Sequence, residues 1–195
     1  MNLFFTIASL FFIGSVLGWV MELIYRRFIS EENPERKWIN PGFCKGPYLP
    51  MYGCGLCVLY FFTKFESLNI LNNVYWNRVI FLFVMILSMT IIEYIGGIVS
   101  LKIFKVRLWD YRNNWGNIQG IICPKYTLIW AVLVIVYFFI HSYILCLLKW
   151  LSVNFVFKLV MGLFFVIFII DIIYSAWIRI YKRKKSSFDD DRLID

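Results

Sequence analysis

Charge is scarce in this chain. Only 16% of its 195 residues are Asp, Glu, Lys or Arg, and there is a single histidine. A soluble domain usually carries about 25% charged residues to keep its surface in water, so an ordinary water-exposed globule is excluded. One histidine cannot supply a multi-histidine metal centre. No GxxxxGK[ST], HExxH or GxSxG nucleophile elbow occurs anywhere, so the chain brings no P-loop for ATP hydrolysis and neither of those hydrolytic motifs. Three of the five cysteines, Cys54, Cys57 and Cys146, lie inside apolar runs. That placement does not fit a secreted disulfide framework.

Apolar residues make up 61% of the chain and aromatics 21%, with a mean hydropathy of +0.72. A chain of this length cannot hide that much apolar surface in one soluble core, so the surplus faces lipid. Five runs are long enough to cross a hydrocarbon layer of about 30 Å, which takes about 20 helical residues. They lie near residues 3–25, 47–65, 79–101, 126–148 and 153–178. The expected fold is all-α, a polytopic membrane protein with five transmembrane helices. The first run has no Lys or Arg before it and no small-residue cleavage site after it, so it reads as a retained helix.

The net charge of +8 does not form a stripe on one soluble face, which argues against nucleic acid. Basic residues gather instead at the ends of apolar runs. The first loop holds Arg26, Arg27, Arg36, Lys37 and Lys45. The third holds Lys102, Lys105, Arg107, Arg112 and Lys125, and the tail holds Arg179, Lys182, Arg183, Lys184, Lys185 and Arg192. Only Lys64, Arg78, Lys149 and Lys158 fall on the other side. The positive-inside rule then puts the amino terminus outside and the carboxyl terminus in the cytoplasm of a cell membrane, with Lys182 to Lys185 able to touch anionic lipid. The expected organisation is a five-helix domain over residues 1–181 and a charged tail over 182–195.

Both inner loops concentrate Gly, Pro, Asn, Trp and Cys, which locates any chemistry on the cytoplasmic side. Glu22 precedes Trp38 by sixteen residues, as Glu93 precedes Trp109, and Asn, Gly and Cys follow each Trp. This echo is consistent with a parallel repeat of the hairpins 1–65 and 79–148, with a fifth helix added.

Ionisable residues inside spans are costly and are functional candidates by default. Glu22 shares a stripe with Gly14 and Gly18, so a ridge of small residues ends in a carboxylate. It also stands four residues before Arg26, the favourable order for an intrahelical ion pair. Glu93 shares a face with Thr90, Gly97 and Ser100 and lies about 12 Å from the inner end of its run. A buried packing hydrogen bond is the alternative to a functional role there. Asp171, with Ser175 and Arg179 on its face, reads as a snorkelling or helix-end residue. The expected polar cluster joins Glu22 and Glu93, on neighbouring helices, with Asn40, Tyr52, Trp109, Asp110 and Asn117.

The sequences Cys44-Lys-Gly-Pro47 and Cys123-Pro-Lys125 lead into the second and fourth runs, and proline suits a first helical turn. Free N–H groups and positive dipole ends there, with Lys45, Gly46, Gly120 and Lys125, form a candidate site for an anion or lipid headgroup. The alternative is that these helix ends satisfy Glu22 and Glu93, leaving no ligand. Cys54-Gly-Leu-Cys57 has CxxC spacing but no second pair and lies within a run, so small-residue packing is the better reading. His141 reads as a satisfied ring. No metal site or cofactor is called for.

Several segments together carry a resemblance: Gly18-Trp-Val-Met-Glu22, Asn40-Pro-Gly-Phe-Cys-Lys-Gly46-Pro47-Tyr-Leu-Pro50-Met-Tyr52-Gly53-Cys-Gly55, Glu93-Tyr-Ile-Gly96-Gly, Trp109-Asp110-Tyr111 and Asn117-Ile-Gln-Gly120. In order and spacing the chain resembles the putative ABC-transporter permease family, the CmpB-like integral membrane proteins, over most of residues 10–135. Pro41 stands where the family's pattern usually has a basic residue, which weakens phosphate-like binding at that spot. The resemblance implies a permease-like subunit whose energy comes from a separate ATPase, acting as a homodimer or with that partner among membrane lipids. A membrane-embedded enzyme for a lipid-linked or phosphorylated substrate, with Glu93 or Glu22 as acid or base, stays open beside it. So does an assembly or regulatory subunit.

Overall fold

The computed structural model describes residues 2–30, 33–65 and 73–191, with side chains only as far as 181 in the last stretch. The lipid-facing role expected of Lys182, Arg183, Lys184 and Lys185, and the charge of Arg192, therefore fall outside the described side chains. Five helices account for the apolar runs: α1 (Leu3–Phe28), α2 (Pro50–Phe65), α3 (Val74–Lys102), α4 (Pro124–Leu151) and α5 (Phe155–Asp191). Among the described residues there is no strand, only an isolated bridge between Ile118 and Ile122. Four helices, α1, α3, α4 and the Phe155–Tyr181 part of α5, are long and apolar enough to cross a membrane. At 16 residues, α2 is shorter than the other four.

Helix ends depart from the apolar runs because hydropathy marks where lipid lies, whereas capping groups decide where a helix starts. Asn2 Oδ1 accepts the Phe5 N–H at 2.8 Å and starts α1. Asn73 Oδ1 accepts the Tyr75 N–H at 2.9 Å, so α3 begins at Val74, five residues before the apolar run. Cys123 is the cap residue of α4, with Pro124 in its first turn. The second helix starts at Pro50 instead of Pro47, because the segment before it is held in turns by partners on α1 and α5. At the far end, α5 continues to Asp191, well past its apolar stretch.

Small residues bring α1 and α2 together in antiparallel contact. A methyl group on Gly53 would fall 2.3 Å from Ser15 Oγ and 2.6 Å from the Phe11 carbonyl oxygen, and one on Gly14 only 3.1 Å from Gly53 Cα. Such close backbone approach is how helices associate in lipid, where hydrophobic burial gives little drive. Leu59 of α2, Met85 and Met89 of α3, and Trp130, Val134 and Tyr137 of α4 form the central core. Phenylalanines attach α5 to α1, with Phe12 and Phe164 centroids 4.7 Å apart and Phe11 and Phe168 centroids 5.3 Å apart. At one end of the bundle the loops 29–49 and 103–123 meet: Phe43 lies 4.4 Å from Phe104, and Arg26 Nη2 donates to the Leu108 carbonyl at 3.3 Å.

Candidate functional site

The site is built by the loop between α3 and α4, which folds back on itself. Gly116 and Gly120 take φ of 65° and 68°, values open to glycine at little cost. Asn117 fixes the turn by accepting the Gly120 N–H at 3.0 Å and donating to the carbonyls of Asn114 and Arg112. The Trp-Asp-Tyr segment closes on that turn. Trp109 Nε1 donates to the Ile121 carbonyl at 2.8 Å, and the Tyr111 N–H donates to the Gly120 carbonyl at 2.9 Å. Between them, Asp110 receives Arg112, whose hydrogen bonds hold its carboxyl below the usual range, and Arg107 at 3.5 Å.

This fold-back drives the Tyr111 ring into the bundle. Its hydroxyl donates to Glu93 Oε1 at 3.1 Å, and Trp130 Nε1 of α4 donates to Oε2 at 2.9 Å. Glu93 itself is only 2% exposed. Burial, then the charge of Glu93, pushes the Tyr111 hydroxyl far above the ordinary tyrosine range, so it remains a donor. Tyr111 stacks on Tyr126 at 4.0 Å, and the Tyr126 and Tyr25 hydroxyls lie 2.9 Å apart. On the other flank, Tyr52 packs against Trp130 at 5.1 Å and donates to Glu22 Oε2 at 3.2 Å. Glu22 also accepts from Arg26 Nε at 3.0 Å. Tyr52 fits there only because Gly18 has no side chain, since a methyl group would lie 2.2 Å from Tyr52 Cγ.

These groups enclose a cavity of about 180 Å³, lined by α1 through α4 and reached by Pro41, Trp109 and Tyr111 from the loops. Its walls carry two carboxylates, one guanidinium already paired with Glu22, and six aromatic rings.

A second polar centre lies on α5. Asp171 accepts the Lys45 N–H at 3.2 Å and the Gly46 N–H at 2.8 Å, along with the Tyr48 hydroxyl at 2.5 Å and the Ser175 hydroxyl at 3.0 Å. Burial and the bond to Asp171 push the Tyr48 hydroxyl up, and burial holds the Cys44 thiol at about 12. Nearby, Arg179 donates to the Phe43 carbonyl at 3.0 Å and lies 4.1 Å above the Phe43 ring.

Of the expected polar cluster, the structure brings Glu22, Tyr52, Glu93 and Trp109 to one cavity. Glu22 of α1 and Glu93 of α3 face this same cavity from helices that both pack against α2. Asn40, Asp110 and Asn117 serve the loops instead. Asn40 accepts from Trp19 Nε1 at 2.9 Å and donates to the Cys44 and Lys45 carbonyls.

The four residues expected to hold an anion are engaged elsewhere. The N–H groups of Lys45 and Gly46 already carry a carboxylate, that of Asp171, and Lys45 Nζ lies 4.4 Å over the Tyr174 ring. Tyr48 fills the space that Gly46 leaves, and Arg112 and Arg107 fill that beside Gly120. Lys125 lies over Tyr126, its own neighbour in the chain. Asp171, read from the sequence as a helix-end residue, is thus the hub of a tertiary contact. Tyr111 stands in the Trp-Asp-Tyr motif, whereas Tyr25, Tyr126 and Trp130 were missed as site residues. Their signal was the spacing of Tyr25 three residues after Glu22 and of Tyr126 four before Trp130, which puts each pair on one helix face. Elsewhere, His141 Nδ1 lies 2.7 Å from the Phe138 carbonyl, and Cys57 donates to the Ile7 carbonyl at 3.4 Å.

No curated protein and no solved structure matches the chain. The model of a family described as Putative ABC-transporter type IV matches residues 9–176. With four apolar helices long enough to cross a bilayer and a match over most of its length, this multi-pass membrane protein belongs to the Putative ABC-transporter type IV family.

Proposed function

We propose that the chain is the membrane-embedded, permease-like subunit of a transporter, with five spanning helices and an energy-supplying ATPase as a separate polypeptide. The observation that carries this reading is the cavity between α1 and α4, closed by both inner loops and holding Glu22 and Glu93. A binding site that draws on four helices and sits at one end of a bundle suits loading of cargo from that side.

The five-span arrangement draws support from the reach of α2. Its 16 residues extend about 24 Å, and Cys57 already lies level with Ile7 of α1. Tyr60 packs with Leu10 and with Leu148 near the end of α4, so the far end of α2 reaches the level of its neighbours' ends. Combined with the distribution of Lys and Arg, this supports a cytoplasmic side for the loops 29–49 and 103–123. In both hairpins an acid of the first helix accepts from an aromatic donor near the start of the second, Glu22 from Tyr52 and Glu93 from Trp130. That correspondence agrees with the repeat read from the sequence. An enzyme holding a phosphorylated substrate at Lys45 and Gly46 has less support, because Asp171 occupies those N–H groups.

Purification from the native membrane in a mild detergent tests the assignment. A nucleotide-hydrolysing subunit should co-migrate with the chain, and the isolated complex should hydrolyse ATP. A chain that purifies alone and without ATP hydrolysis overturns the proposal.

A further inference from the structure

The walls of the cavity specify a class of ligand. Glu93 accepts from Tyr111 and Trp130, and both donors are neutral. Trp130 can only donate, and a carboxylate offers about four acceptor positions, so two remain for a ligand. Among the described residues no Lys or Arg forms an ion pair with Glu93. The one guanidinium on the wall, Arg26, is held by Glu22 and the Leu108 carbonyl. In the loop after α3, Arg107 and Arg112 are drawn to Asp110. Six rings face the same space, and the π-face of an aromatic ring attracts a cation. A volume of about 180 Å³ equals that of about six waters, the scale of a small organic cation.

We infer that the cavity between α1 and α4 binds a small organic cation, an alkylammonium group facing Glu93 with its apolar substituents against Tyr52, Tyr111, Tyr126 and Trp130. As the cargo of a transporter, this ligand rests on the reading above; as a bound ligand, it stands on the cavity alone. A cation supplies the one charge that the buried carboxylate lacks, and the rings desolvate its alkyl groups at little cost. An anion would meet Glu93 unscreened.

Calorimetric titration of the purified full chain in maltoside micelles tests the inference, with choline as the probe. The control ligands are inorganic phosphate and the neutral isostere in which carbon replaces the ammonium nitrogen. Choline should bind at least about tenfold more tightly than the isostere, the difference expected when a desolvated cation meets several ring faces. Phosphate should not compete. Glu93→Gln keeps the side-chain shape and should weaken choline by about tenfold while leaving the isostere unchanged. Equal affinity for choline and the isostere, no binding of choline, or competition by phosphate overturns the inference. The ligand comparison is made on the unmodified chain, so it decides even if Glu93→Gln does not fold. Failure here leaves ATPase co-purification untouched, and failure of co-purification leaves choline binding untouched, so the two proposals fail separately.

Discussion

Asp171 and Glu93 each place a carboxylate on an apolar helix, yet their surroundings are built in opposite ways. Asp171 collects two backbone N–H groups, the Tyr48 hydroxyl and the Ser175 hydroxyl, and it ties the loop before α2 to α5. Glu93 collects two ring-borne donors and faces a cavity. The first is saturated by its own chain, so its worth is structural. The second keeps acceptor capacity and open space, the combination a ligand needs. Sequence depth alone pointed the other way, because Asp171 lies nearer the end of its span and reads as the more disposable acid. What separates the two is how many donors arrive: four, two of them backbone, fill the site at Asp171, whereas the two at Glu93 leave room between their rings.

The sharpest way to break this contrast is Asp171→Ala, which strands two backbone donors and the Tyr48 hydroxyl together. Hydrogen bonds to a charged group contribute about 1.5–3 kcal/mol each, with water replacing part of that near the interface. The expected loss is about 3 kcal/mol, read as a lowered unfolding midpoint in detergent. Glu93→Gln should cost less than about 1 kcal/mol, because the amide keeps the shape and can still accept from Trp130. Equal destabilisation by the two substitutions would erase the distinction.

Gly18→Ala probes the open side. Its methyl group would fall 2.2 Å from the root of the Tyr52 side chain, so α1 and α2 must separate or the ring must leave the cavity wall. Overpacking of this kind costs about 2 kcal/mol, and choline binding should fall with it. Retained binding at unchanged stability would mean that Tyr52 does not shape the site.

The smallest effect concerns Cys44, which is 2% exposed and packs beside Tyr48. Burial and the nearby Asp171 raise its thiol to about 12. At about pH 8 it should react with a maleimide at least about tenfold more slowly in the folded protein than after unfolding in denaturant, because the thiolate is the nucleophile. The linkage has a definite sign. The stabilisation from keeping this thiol neutral is complete below the unfolded value of about 9 and is lost as pH climbs toward 12. In Asp171→Ala the maleimide rate should rise; an unchanged rate would show that the contact does not shield Cys44.

Much of the site could be read from the sequence because its acids sit in apolar surroundings, where any charge stands out. Glu22 and Glu93 were visible for that reason, and Glu22's pairing with Arg26 followed from their four-residue spacing. The aromatic walls were not, since Tyr25, Tyr126 and Trp130 are unremarkable among so many rings in a chain that is 21% aromatic. The Trp-Asp-Tyr segment was visible as a motif, but its outcome, Tyr111 reaching Glu93 across eighteen residues, depends on the turn at Gly120.

The sequence by itself determined that this is an all-helical membrane protein with a polar end. Hydropathy and the helix period are local properties that lipid enforces on every residue in turn. Only the tertiary structure decided which donors Asp171 and Glu93 receive from other elements. The turn N–H groups of Lys45 and Gly46 can hold a ligand or an aspartate from well over a hundred residues away with the same geometry, and nothing local distinguishes them. Packing of α5 against α1 brought Asp171 to that end and closed it, while the fold-back of the loop after α3 left Glu93 bordered by rings and open to a cavity.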